Sequence, residues 1–152
     1  MTRTRVVRPI RAPRSEVYRA LVDATAIATW RVPDNMTAVV HAFDPRAGGE
    51  FRISLTYDSP GERGKTAANT DTYHGRFLTM IPDELVIEEF EFETADPALR
   101  GPMRLTTTLT DADGGTDVVM LHDSIPAGIS AADNETGTRM ALDKLAALVE
   151  SR

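Results

Sequence analysis

His122 is the side chain of this sequence best suited to acid–base chemistry near neutral pH. It continues the every-second-residue series Thr116, Val118 and Met120, which predicts that these side chains share the inner face of one strand. An imidazole facing a cavity can bind a ligand or act as a general base. The alternative is a histidine whose ring hydrogen-bonds a backbone carbonyl at the end of a strand.

Glu88 is a second candidate for proton transfer. It falls in phase with Val86, Phe90 and Phe92 on a predicted strand, so an apolar inner face would surround its carboxylate. Burial of that kind raises the pKa of a carboxyl group and prepares it as a general acid or base. The alternative is a local bulge, or an open end of the sheet, that leaves Glu88 in water.

Three aromatic polar side chains are further candidates for contact with a ligand. Tyr57 and Tyr73 fall on inward phases, where a hydroxyl orients a ligand carbonyl or hydrogen-bonds across the core. Trp30, the only tryptophan, is predicted to pack at one end of a cavity or to touch its ligand. His74 and Arg76 fall on the opposite phase and are predicted to lie outside.

The sequence lacks the motifs of several common kinds of catalysis and cofactor binding. His41, His74 and His122 do not have the spacing of a metal site, and there is no cysteine to form a thiolate ligand, a nucleophile or a disulfide. No nucleophile elbow, P-loop or dinucleotide-binding glycine pattern occurs. The sequence therefore predicts no metal and no cofactor.

The composition of the chain argues against some classes of binding partner. The formal net charge is -6, from 23 acidic and 17 basic residues, which does not favour a nucleic-acid ligand. No apolar run of about 18 residues is present and no apolar signal segment follows the first residues, so we expect no membrane span and a cytoplasmic location. Five arginines near the N-terminus are predicted to form a solvated strand edge: Arg3, Arg5, Arg8, Arg11 and Arg14.

The hydrophobic pattern predicts one α+β domain over residues 1–152. A strand is followed by two short helices, the first entered at Pro13 and the second capped by Asp23 or Thr25 and running through Ala28. A period of two residues then predicts six further strands. The predicted strands are Arg5–Ile10, one from Met36 onward, Phe51–Asp58, Thr70–Ile81, Leu85–Glu93, Met103–Thr110 and Thr116–Asp123.

A long helix closes the chain. It begins at Ser130 or Asp133 and runs to about Glu150, with an apolar stripe that includes Leu142 and Leu145. Short links between most strands favour an antiparallel sheet. About seven strands must curl around this helix to bury both apolar surfaces, which leaves an elongated space for a ligand. The loops Ser59–Asn69 and Ala95–Pro102 are candidates for lids over it.

The most specific motif is Phe43-Asp-Pro-Arg-Ala-Gly-Gly49, which begins thirteen residues after Trp30. Together with further segments it resembles the START-like (SRPBCC) helix-grip superfamily, in the branch of the activator of heat-shock-protein-90 ATPase homologues and its single-domain bacterial members. The further segments are Arg11–Leu21, Asp23–Trp30, Tyr73–Phe77, Ile81-Pro82, Glu84–Val86, Gly115–His122 and Leu142–Leu148.

The resemblance implies a helix-grip fold, with a curved antiparallel sheet around the C-terminal helix and a cavity between them. It also implies a possible homodimer. The family usually has Gly-Trp near the start of the last helix, whereas this chain has Gly137-Thr138, so we expect a roomier or more polar pocket. The chaperone activator carries an additional domain, so chaperone activation is not implied.

Our first functional hypothesis is a non-enzymatic carrier or sensor of a small, largely apolar molecule, because many in-phase side chains are apolar and few polar ones converge. A second is a cofactor-independent cyclase, dehydratase or hydrolase that uses His122 or Glu88. A third is a protein-interaction or chaperone-associated stress module. The predicted ligand-binding residues are Trp30, Phe51, Ile53, Tyr57, Tyr73, Phe77, Phe90, Met103, Met120, His122, Thr138 and Leu142.

Overall fold

The computed structural model describes residues 2–58 and 69–151. Most of the predicted loop Ser59–Asn69 therefore lies outside the described residues. The observed order of strand, two short helices, six strands and one long helix agrees with the predicted order. In chain order the elements are β1 (Thr2–Ile10), α1 (Arg14–Leu21), α2 (Ala24–Trp30), β2 (Met36–Phe43), β3 (Glu50–Tyr57), β4 (Thr70–Ile81), β5 (Leu85–Phe92), β6 (Met103–Ala112), β7 (Gly115–Ile125) and α3 (Ala131–Glu150).

The strands form one curved sheet in the order β1-β7-β6-β5-β4-β3-β2. All neighbouring pairs are antiparallel, as hairpin-length links require. Pro9 lies in β1 at one edge of the sheet, where its missing N–H removes no ladder bond on the open side. The predicted α+β helix-grip architecture is confirmed.

The two short helices are held by a cap and by Trp30. The Asp23 carboxylate accepts a hydrogen bond of 2.9 Å from the Thr25 backbone N–H, which caps α2. The helix continues to Trp30, beyond the predicted end at Ala28, because the indole is buried and its N–H donates to the Ala20 carbonyl at 2.9 Å. Trp30 thereby joins the end of α2 to α1.

The glycine pair Gly48-Gly49 makes the turn between β2 and β3 possible. Gly48 has a φ of +83°, and a Cβ on Gly49 would overlap the Asp44 carbonyl. Gly48 N–H donates to the Phe77 carbonyl, while Phe77 N–H donates to the Gly49 carbonyl. Gly48 thus supplies the positive φ of the turn and Gly49 the room for its tight fold against Asp44, while the two hydrogen bonds hold the turn to β4.

Helix α3 lies along β1 and supplies much of the core. Ser130 caps it by accepting from the Asp133 N–H at 3.0 Å, and Leu142 and Leu145 are fully buried. Four of the predicted N-terminal arginines make ion pairs, two of them to α3, and Arg3, Arg5 and Arg11 are exposed to solvent. The pairs are Arg3–Asp123, Arg8–Asp143, Arg11–Glu150 and Arg14–Asp111.

None of the helices within residues 2–58 and 69–151 has both the length and the apolar character needed to cross a membrane.

Candidate functional site: a cavity between the sheet and the last helix

A cavity of about 500 Å³ lies between the sheet and α3. Its size falls in the usual range for sites that hold small molecules. The segment after α2, residues of six strands (β2 to β7) and the first half of α3 form its walls. The wall residues that matter for its chemistry are Trp30, Arg31, Tyr57, Asp71, Tyr73, Phe90, Phe92, Met103, Leu105, Met120, His122, Asp133 and Thr138.

Eight of the twelve predicted ligand-binding residues line this cavity: Trp30, Tyr57, Tyr73, Phe90, Met103, Met120, His122 and Thr138. The other four are buried elsewhere in the core. A period of two residues predicts the face of a strand, but it does not predict the position along the strand at which the cavity opens. The four core residues are Phe51, Ile53, Phe77 and Leu142.

The packing of these core side chains explains their position. The Phe51 and Phe77 ring centroids are 5.1 Å apart, and Phe43 packs edge-on against Phe77 at 5.5 Å. These rings therefore fill the far end of the space between sheet and helices. Tyr73 lies between the two regions, since its ring contacts Phe51 at 6.3 Å and also lines the cavity.

The structure adds one residue that sequence reasoning missed, Arg31. Its Nη1 lies 2.6 Å from Oε1 of Glu88, and the two side chains are only 17% and 6% exposed. The guanidinium carbon lies 6.0, 5.5 and 5.3 Å from the ring centroids of Phe51, Tyr73 and Phe90. The arrangement is a buried ion pair whose cation also contacts three aromatic faces.

Arg31 keeps its charge in this setting. Burial lowers the pKa of its guanidinium, but the charge of Glu88 and the hydrogen bond between them raise it further, so the net pKa lies above its ordinary value. Two features of the sequence could have predicted this ion pair. Arg31 stands between two apolar residues, Trp30 and Val32, at the end of a helix, and Glu88 is in phase with the buried side of its strand.

Glu88 differs from both predicted environments. It is 4% exposed and therefore not in water, yet its carboxylate is held by Arg31 and does not stand alone among apolar groups. It faces the small space beneath Trp30 and Arg31 rather than the main cavity. Glu88 is thus the partner of a cavity-wall cation.

His122 lies on the cavity wall and is 8% exposed. Its Nδ1 is buried and has no hydrogen-bond partner among the described residues. Burial and the nearby charge of Arg31 lower the pKa of His122 to about 4, although Asp123 acts in the opposite direction. The imidazole is therefore neutral at pH 7, with one nitrogen that donates and one that accepts.

Tyr73 and Thr138 complete the polar wall. Burial is the main reason that the pKa of Tyr73 is raised, with the charge of Arg31 opposing it and that of Glu88 adding to it. Its phenol therefore stays protonated. The Thr138 hydroxyl donates to the Asn134 carbonyl within α3 at 2.8 Å, so it presents mainly its methyl group and oxygen lone pairs.

The remaining two histidines lie on the outer face of the sheet. His74 Nδ1 is 3.0 Å from Glu93, which also takes two hydrogen bonds from Arg52 at 2.8 and 2.9 Å. The hydrogen bond from Arg52, with a further one from His74, lowers the pKa of Glu93 to about 2, although burial acts in the opposite direction. His41 pairs with the Ser54 hydroxyl at 2.8 Å. His122 is therefore the histidine that faces the cavity.

The described part of the chain holds no group of three or more His, Asp or Glu side chains arranged to bind a metal ion. The cavity is thus lined by aromatic and aliphatic side chains, one paired cation, a neutral imidazole and the carboxyl groups of Asp71 and Asp133.

Solved structures share this architecture. A protein of Chromobacterium violaceum is 30% identical, with a TM-score of 0.88 over 97% of this chain and 96% of that chain. A protein of Rhodobacter sphaeroides is 20% identical, with a TM-score of 0.81 over 99% of this chain and 93% of that one. Comparison with curated proteins finds no match.

A further solved structure shares the fold, and a sequence model assigns the family. An AHSA1-like protein from Aeromonas hydrophila is 16% identical, with a TM-score of 0.75 over 99% of this chain and 93% of that chain, and so shares the fold. The model of the family described as Activator of Hsp90 ATPase homolog 1-like protein matches residues 11–150. The chain therefore belongs to the family of Activator of Hsp90 ATPase homolog 1-like proteins.

Proposed function

We propose that this protein binds a small, largely apolar molecule in the cavity between the sheet and α3 and acts as a carrier or sensor of it. The observation that carries the proposal is the cavity itself, of about 500 Å³, with aromatic and thioether side chains on several walls. Such walls supply most of the binding free energy of an apolar ligand through burial. The few polar groups then orient the molecule.

The fluorescence of N-phenyl-1-naphthylamine, an uncharged apolar dye, tests this proposal. We expect the dye to brighten when it enters the cavity of the wild-type protein, with saturation at one dye per chain. Thr138→Phe places a ring in the cavity, since Thr138 lies on its wall, and should weaken dye binding by about tenfold or more.

The matched control is Arg139→Phe, which adds the same ring at the next, exposed position of α3 and should leave dye binding unchanged. Circular dichroism verifies that both variants are folded. The proposal fails if the wild-type protein does not bind the dye, or if both variants bind it as tightly as the wild type.

A second candidate is a cofactor-independent enzyme in which His122 moves a proton. The supporting observation is its neutral, buried imidazole with a free Nδ1 at the cavity wall. Glu88 is less suited, because Arg31 holds its carboxylate. Native mass spectrometry of gently purified protein supplies the molecule to test. Conversion by the wild type and loss of conversion, but not of binding, in His122→Ala would favour the enzyme over the carrier.

An interaction module finds less support. Among the described residues, the large aliphatic side chains that are exposed are Val7, Val39 and Ile81. They lie on β1, β2 and the end of β4. Scattered single residues of this kind are normal on a protein surface and do not form a docking patch.

A further inference from the structure

We propose that the cavity selects an uncharged apolar molecule that carries one hydrogen-bonding group, such as a hydroxyl, and that it rejects ions of the same shape. The inference rests on the proposed function and adds the chemical class of the ligand. It follows from how the charges around the cavity are already paired and from the neutral imidazole of His122 on its wall.

The only Lys or Arg side chain among the described wall residues is Arg31. Its charge is balanced by Glu88 at 2.6 Å, so it is not free to balance the charge of a ligand. The nearest lysine of α3, Lys144, is also occupied, since it donates to the Val32 carbonyl at 2.7 Å and lies 3.3 Å from Asp34. A ligand anion would therefore lose its water without gaining a cation.

Two acidic side chains on other walls do not change this balance. Asp71, which is 3% exposed, and Asp133 both line the cavity. Asp71 already takes part in an interaction of its own and Asp133 is exposed, where water screens its charge, so neither offers an anion a favourable contact. An apolar tail with a carboxylate head would thus be held less tightly than the same tail with a neutral head.

A positively charged ligand is disfavoured for a different reason. The aromatic faces that would attract a ligand ammonium are those of Tyr73 and Phe90, and Arg31 already lies 5.5 and 5.3 Å from their centroids. A second positive charge would be placed beside the first. Asp71 already takes part in an interaction of its own and Asp133 is exposed to water, so neither is a strong counter-ion for a ligand cation.

His122 supplies the hydrogen bond for a neutral ligand. It is 8% exposed and lines the cavity, whereas its Nδ1 is enclosed by protein and has no partner among the described residues. We therefore assign the hydrogen bond with the ligand to the other ring nitrogen, Nε2, which is not among the enclosed atoms. A hydroxyl both donates and accepts, so it satisfies either tautomer of a neutral imidazole.

Three probes with the same tail test the charge selection: 1-octanol, octanoate and octylammonium, each used at pH 7 to displace N-phenyl-1-naphthylamine from the wild-type protein. We expect 1-octanol to bind at least about tenfold more tightly than either ion. Octanoate or octylammonium binding as tightly as 1-octanol would overturn the inference.

Two variants locate the cause. In Glu88→Gln the charge of Arg31 loses its partner, so the affinity for octanoate relative to 1-octanol should rise about tenfold. An unchanged ratio in a folded Glu88→Gln protein contradicts the role of the pair. If this variant does not fold, the three-probe comparison on the wild type decides the question by itself.

His122→Phe should weaken 1-octanol relative to the dye by about 3-fold to 10-fold, the range expected for one neutral hydrogen bond. His74→Phe, on the outer face of the sheet, is the matched control and should change nothing. Equal 1-octanol affinity in His122→Phe and wild type would refute the role of His122. Failure of the dye itself to bind would instead refute the proposed function, so the two failures are distinguishable.

Discussion

Arg31 and Glu88 show how a charged residue can be buried beside an apolar site. Each loses most of its hydration, because the side chains are 17% and 6% exposed. Their contact of 2.6 Å and the three aromatic rings around the guanidinium offset that loss in part. Such a pair contributes little net stability compared with apolar residues of the same size, yet the loss of either partner leaves a buried charge alone.

We therefore expect Glu88→Gln to lower the free energy of unfolding by about 3–5 kcal/mol. The double variant Arg31→Met with Glu88→Leu should recover most of that loss, because it removes both charges and keeps the volume. Urea denaturation followed by circular dichroism measures the effect. As a control, Glu93→Gln breaks the ion pair with Arg52 on the outer face, where water screens it, and should cost much less. Equal losses in Glu88→Gln and Glu93→Gln would contradict this account.

His122 links stability to pH. Its pKa is lowered to about 4 in the folded protein, from about 6.5 in an unfolded chain. The unfolded state therefore binds a proton more readily, so the stability from a neutral His122 is present above pH 6.5 and is lost as the pH falls towards 4. The loss is on the order of 3 kcal/mol.

Titration of the histidine ring protons by NMR checks this directly. One signal, absent in His122→Phe, should have its midpoint near pH 4. Between pH 7 and pH 5, His122→Phe should also lose less stability than the wild type. A His122 midpoint near 6.5 would show that the ring is hydrated, and it would contradict the claim that the imidazole is buried and enclosed by protein at Nδ1.

At the scale of elements, Gly75 decides how closely β4 and β5 approach near the aromatic cluster. It lies opposite Phe51 in β3 and Phe90 in β5. A Cβ at this position would overlap the backbone of Glu89 and Phe90. The ladder must therefore open to admit a side chain, which would also move the rings that contact Arg31.

We expect Gly75→Ala to destabilise the protein by about 1–3 kcal/mol, as overpacked cores do. Gly137→Ala is the matched control, because no atom lies within 4 Å of a Cβ added there and alanine suits a helix interior better than glycine, by about 0.5–1 kcal/mol. The two changes should thus shift the thermal midpoint in opposite directions. Stabilisation by Gly75→Ala would show that the close approach does not matter.

The elements were also the level at which sequence reasoning succeeded best. The period of two residues predicted which faces of β5 and β7 are buried, and β4 begins and ends at the predicted residues Thr70 and Ile81. Local rules cover such features, since alternation, caps and turns depend on near neighbours in the chain. The predicted end of α2, at Ala28, lies two residues before the observed end at Trp30. The hydrogen bond from Trp30 to Ala20 joins two helices, so near neighbours in the chain do not predict it.

At the scale of the whole molecule, the fold could be predicted but the interior of the site could only be predicted in part. The order of the elements and the motif around Gly48-Gly49 point to the helix-grip architecture. Whether Phe51 and Phe77 lie in the cavity wall or in the core depends on how the sheet packs against the helices. The contact between Arg31 and Glu88 depends on the same long-range packing, so no local pattern predicts it.

The alignment of α3 with β1 has a consequence for how a nascent chain reaches this structure. The two elements run in the same direction: Thr4 in β1 contacts Asn134 near the start of α3, and Arg11, just after β1, contacts Glu150 at its end. The ribosome makes β1 first and α3 last, at roughly 5–20 residues per second. Until α3 emerges, the part of the inner face that α3 covers is exposed and must be kept from aggregation. The cavity between the sheet and α3 can therefore form, and bind a ligand, only after α3 has left the ribosome.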